Sequence, residues 1–172
     1  MGIRDTIGLD KFIIKYDGIF DLKGLYNDVY NWLTARKFEV KESVYKNKPP
    51  ELEIKWSAER KKTHYIKDVI GIFFRFWNLK DVEIVKDGKK IKMQSARVFI
   101  RITPKVELGY NDIYKRNWWD HPFLIKLKEF INTWILRKEL EFKHADALYY
   151  ETVSLVDYIK SKLNFTMAKG AY

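Results

Sequence analysis

The nine residues Val69-Ile70-Gly71-Ile72-Phe73-Phe74-Arg75-Phe76-Trp77 limit the fold more than any other part of the chain. A strand with one face in a core and one in water alternates apolar with polar residues, and this stretch barely alternates. It is far shorter than the roughly 18 apolar residues of a membrane span, a length that no other stretch approaches. It therefore reads as a strand with large apolar side chains on both faces. Only one of those faces can be the core.

The surrounding hairpin accounts for the other face. The chain runs extended from about residue 65 to 85, turns at Asp87-Gly88, which favours a type I′ turn, and returns from Lys90 to about Leu108. With Asp87 and Gly88 central, Ile84 faces Ile91, Val82 faces Met93, and Glu83 lies beside Lys92 on the other side. Continued unchanged, that register sets Phe74 opposite Arg101 and puts Arg75 in the helix-facing row. One extra residue between Asn78 and Lys80, a β-bulge, corrects it: Phe76 then opposes Val98, Phe74 opposes Ile100 and Ile72 opposes Ile102. The second face becomes Trp77 against Arg97, Arg75 against Phe99 and Phe73 against Arg101. An arginine over an exposed ring contributes about 0.5 to 1 kcal/mol and keeps the ring from forming a bare apolar patch.

The flanking segments fit the same sheet. Residues 11–20 read as a strand with Phe12, Ile14 and Tyr16 on one face. Asp21 then caps a helix whose stripe is Leu22, Leu25, Tyr26, Val29, Trp32 and Leu33. Phe38, Val40 and Val44 mark another strand, which Asn47-Lys48-Pro49-Pro50 turns. Leu52, Ile54, Trp56 and Ala58 alternate cleanly with polar residues, and residues 61–64 read as a turn. From Asp120-His121-Pro122 the pattern is helical: Phe123, Leu124, Leu127, Ile131, Trp134 and Ile135 share a face, and Leu148, Thr152, Leu155, Val156, Ile159 and Leu163 share another. A straight helix of about 40 residues would be about 60 Å long, so a kink or break is expected near 137–144.

The expected fold is α+β, one domain over residues 1–172 with a flexible tail at 165–172. Its order is strand, helix, four antiparallel strands and a long C-terminal helix. That order resembles helix-grip domains, and the resemblance implies a curved sheet packed on the C-terminal helix.

Charge and composition narrow the chemistry. Lys and Arg against Asp and Glu number 11 against 10 in residues 1–60, 14 against 7 in 61–120, and 8 against 6 in 121–172. The basic excess thus sits where the ring-and-arginine face lies, which favours a polyanionic partner. With no Cys there is no disulfide framework, no Cys-type zinc site and no thiol nucleophile, which fits a soluble, cytoplasmic protein. His64, His121 and His144 lie on separate elements, so neither metal nor cofactor is expected. Glu51, Glu53 and Glu59 share a strand face with nothing apolar beside them to raise a pKa, and read as a solvated row. No nucleophile elbow, phosphate loop or dinucleotide fingerprint is present, and the chain reads as a binding domain more than an enzyme.

The first functional expectation is binding of RNA, single-stranded DNA or a ribonucleoprotein through Phe73, Arg75, Trp77, Arg97, Phe99 and Arg101, with Lys115 and Arg116 from the cluster beside Trp118 and Trp119. Rings stack on bases and basic groups follow phosphates. The second comes from the helix-grip resemblance: an apolar small ligand or lipid held between sheet and C-terminal helix, lined by Trp56, Phe74, Phe76 and Trp134.

Overall fold

The computed structural model describes residues 5–64, 66–109, 122–123, 126, 130 and 141–168. In chain order these form β1 (Asp5–Gly8), β2 (Phe12–Phe20), α1 (Leu22–Ala35), β3 (Glu39–Lys48), β4 (Glu51–Lys61), β5 (Ile66–Lys86) and β6 (Lys89–Leu108). A π-helical turn, Glu141–Ala145, leads into α2 (Asp146–Ala168). The fold is α+β: a curved, open, six-stranded antiparallel sheet in the order β1-β6-β5-β4-β3, with β2 also paired to β6, and a C-terminal helix.

Local chemistry sets the elements. Asp21 caps α1 by accepting a hydrogen bond from Gly24 N at 2.9 Å, which satisfies one of the helix's free N–H groups. Leu25, Val29, Trp32 and Leu33 form its buried stripe. Asp87 (φ 51°) and Gly88 (φ 73°) both take positive φ, as a type I′ turn requires, so β5 and β6 leave it in a fixed register. Ile84 pairs with Ile91, Val82 with Met93 and Glu83 with Lys92.

The bulge stands where the apolar rows demand it. Trp77 pairs with Arg97 but Lys80 with Ser95, so β5 spends one residue more than β6. Asn78 absorbs the kink at φ 54°, a conformation Asn tolerates, and Leu79 N donates to Pro50 O at 2.9 Å. Beyond it Phe76 meets Val98, Phe74 meets Ile100 and Ile72 meets Ile102, all buried.

These residues face the helices. Phe20 stacks on Phe76 with centroids 5.7 Å apart, and Trp56 packs edge-on against Phe74 at 5.2 Å and Tyr26 at 4.7 Å. α2 lies against β2 and β6 and touches α1. Its Leu148, Leu155, Val156, Ile159 and Leu163 are buried, and buried Thr152 donates its hydroxyl to Leu148 O at 2.7 Å.

Some details differ from the sequence reading. β1 carries one apolar residue, Ile7, and depends on pairing with the distant end of β6, where Ile7 meets Val106. β3 runs on to Lys48 because Asn47 and Lys48 still pair with Leu52 and Glu51, leaving Pro49-Pro50 as the turn. A second bulge between Glu42 and Val44 moves Val44 opposite Lys55 and puts Tyr45 opposite Ile54. Phe123, expected on a packed stripe, is 67% exposed, and nothing among the described residues explains it. The expected break at 137–144 falls partly outside the described residues; its described end is the π-helical turn.

Candidate functional site

On the face of the sheet away from the helices, β5 and β6 set Trp77 opposite Arg97, Arg75 opposite Phe99, and Phe73 opposite Arg101. Phe99 links the other rings edge-on, with centroids 6.4 Å from Phe73 and 6.3 Å from Trp77. The Arg101 guanidinium lies 5.2 Å over Phe73, which also carries the Lys55 ammonium at 5.3 Å, and Arg75 lies 4.9 Å over Trp77. All three rings are half-buried and Arg97 and Arg101 are exposed.

Among the described residues, carboxylates reach this face only from its flanks. Asp17 on β2 pairs with Arg97 at 3.5 Å and Glu51 on β4 with Arg75 at 3.6 Å. Such exposed pairs are salt-screened and contribute about 0 to 1 kcal/mol, so a polyanion can displace them. Arg101 has no carboxylate partner among the described residues, and its neighbour on β2 is Ile13.

The far end of the same face is closed. Lys67 bridges Glu59 at 3.2 Å and Glu107 at 2.9 Å, Lys105 reaches Glu107 at 2.7 Å, and Val69 is buried nearby. Burial alone would lower the Lys67 pKa, and Glu107 and Glu59 outweigh it, leaving the ammonium above its ordinary value. The Lys105 hydrogen bond, acting against burial and aided by Lys67, holds Glu107 below the usual carboxylate range. Glu53, Glu59 and Glu51 each pair with a cation, in keeping with a solvated row.

A second charged cluster lies on the inner face, and the sequence reading missed it. Asp68 is fully buried and accepts from Arg60 Nη2 at 2.8 Å. Arg60 also grips Glu151 of α2 through both terminal nitrogens, at 3.0 and 2.6 Å, donates to Arg36 O at 3.1 Å, and lies 4.2 Å over Phe38. Burial would lower the Arg60 pKa, but Glu151 and Asp68 outweigh it and raise it. Strand alternation held the signal: Arg60 continues the inward row Leu52, Ile54, Trp56, Ala58, and Asp68 the row Ile70, Ile72, Phe74. Asp68 Oδ1 and Arg60 Nε lack hydrogen-bond partners, yet the cluster ties β4, β5, α1 and α2 together and reads as structural.

Of the remaining sequence candidates, Lys115, Arg116 and Trp134 lie outside the described residues. Trp56, Phe74 and Phe76 are buried against one another and α1. A cleft of about 170 Å³ at the start of α1, lined by Phe20, Leu25, Asp28 and Lys162 among others, includes none of the three. Among the described residues no His, Asp and Glu cluster suits a metal, and no helix is long and apolar enough to cross a membrane. The sequence matches no protein-family model, and no curated protein matches it.

Proposed function

We propose that the protein binds single-stranded nucleic acid through the outer face of β5 and β6. The observation that carries this is the register: the bulge places Trp77, Phe99 and Phe73 on one solvent face in alternation with Arg97, Arg75 and Arg101. Rings offer π-faces to bases of any sequence, and each stacked base is worth about 1 to 3 kcal/mol. Guanidinium groups between the rings then meet the phosphates.

Stacking and charge make separable contributions, so fluorescence anisotropy with a labelled oligonucleotide across a salt series tests the proposal. Arg97→Gln with Arg101→Gln should flatten the dependence of log affinity on log salt by up to about 1.4, or about 0.7 per phosphate contact on a single strand. Trp77→Ala should weaken binding by about 1 to 3 kcal/mol with the slope kept. Absence of binding at low salt, or binding indifferent to both changes, overturns the proposal.

A further inference from the structure

The outer row does not stop at the rings. Because β5 contains the bulge and β6 does not, β5 reaches the outer face through Phe73, Arg75 and Trp77 on one side of it and through Lys80, Val82 and Ile84 on the other. On β6 the same face continues without a break from Arg101 through Phe99, Arg97, Ser95, Met93 and Ile91 to Lys89. Among the described residues β4 pairs with β5 only as far as Phe76 and β2 with β6 only as far as Gln94, so the hairpin extends past both of these neighbours as a two-stranded arm.

Charge is segregated along that arm. Its strand acids, Asp81 and Glu83, pair with Gln94 and Lys92 on the other row, and Asp87 sits in the turn. Between Phe73 and Arg101 the outer rows of β5 and β6 carry Arg75, Lys80, Lys89, Arg97 and Arg101 and no carboxylate. The row is thus continuous with the ring cluster and every charge on it is cationic, while its middle is apolar, with Ile91 40% and Met93 7% exposed.

We propose that a nucleic-acid strand stacked on the rings continues along the outer row of the arm, so that the whole hairpin is the binding track. This rests on the proposed function above and extends it to the size of the ligand. From Lys89 to Arg101 the row spans about 40 Å at about 3.3 Å per residue, whereas Arg97 to Arg101 spans about 13 Å. An extended single strand advances roughly twice the about 3.4 Å step of a stacked one. The rings therefore hold on the order of two nucleotides and the full track on the order of six, inside the roughly 4 to 16 of known single-strand sites.

Oligothymidylates of about three, six and nine nucleotides, measured by anisotropy at low salt, test this. For the unaltered protein, affinity should rise at least about tenfold from three to six nucleotides and little from six to nine. Two variants remove equal charge from opposite rows. Lys80→Gln with Lys89→Gln should abolish the rise, and Lys90→Gln with Lys92→Gln should keep it. Equal effects from the two variants, or no rise beyond three nucleotides, overturns the track while leaving the ring site standing. Binding to phosphatidylserine vesicles in place of any oligonucleotide overturns both.

Discussion

The sheet carries an arginine on an aromatic ring on each of its faces, and the two sites are completed in opposite ways. On the inner face Arg60 lies 4.2 Å over Phe38 and is gripped by Asp68 and Glu151. On the outer face Arg101 lies 5.2 Å over Phe73 and Arg75 lies 4.9 Å over Trp77, with carboxylates, among the described residues, only at the flanks. A buried charge must be paired where it stands, because leaving it unpaired costs several kcal/mol. An exposed one is solvated already and keeps its donors available to a partner. The same pair of chemical groups therefore acts as a fastener on one side of the sheet and, under the function proposed above, as a recognition surface on the other.

The largest separation between the faces should come from the two tryptophans. Trp56, 3% exposed, packs on Phe74 and Tyr26 and donates its indole N–H to Glu42 at 3.1 Å. Trp56→Ala should cost about 3 to 5 kcal/mol, read from the urea midpoint at unchanged slope, whereas Trp77→Ala should cost about 1 kcal/mol or less. A loss below about 1 kcal/mol at Trp56 would contradict its place in the core.

Acid should weaken the closed parts of the molecule. Glu107 has a folded-state pKa below its unfolded value, so its contribution to stability is complete above the ordinary carboxylate range and is lost as pH falls through the folded pKa. His144 is also lowered, by burial and by Lys62, with Lys143 adding to this and Asp68 opposing it. The fold favours its neutral form, and that preference is likewise lost as pH drops below the ordinary imidazole range. Urea midpoints should therefore fall from pH 7 to pH 4, and Glu107→Gln should shrink the fall. An unchanged fall in that variant would remove Glu107 from the explanation.

Much of this was legible in the sequence, because two local constraints met in the hairpin. Asp87-Gly88 set the register from one end and Ile72, Phe74 and Phe76 from the other, and one residue in excess at Asn78–Lys80 was the sole way to reconcile them. The rings and arginines of the outer face follow from that alone. β1 was not legible, since four residues with one apolar side chain carry no periodicity and pairing with β6 alone defines the strand. The bulge in β3 was hidden because Val40 and Val44 mimic one alternating row across it. Asp68 was overlooked because a lone acid in an apolar run shows its purpose only when Arg60 and Glu151, distant in sequence, are brought beside it.

The contrast between the faces is tested most directly by making one substitution in both. Arg60→Gln and Arg101→Gln each remove a guanidinium from a ring, and each protein can be measured for its urea midpoint and for its affinity for an oligonucleotide of about nine nucleotides. Arg60→Gln should lose about 2 to 3 kcal/mol of stability, less than a fully buried pair because Arg60 keeps 16% of its side-chain surface exposed, and should bind as before at temperatures where it is folded. Arg101→Gln should lose about 1 kcal/mol of stability or less and bind more weakly, with a flatter salt dependence. If Arg101→Gln destabilises the fold as Arg60→Gln does and leaves oligonucleotide binding unchanged, the outer face is a fastener like the inner one, and its role in recognition is refuted.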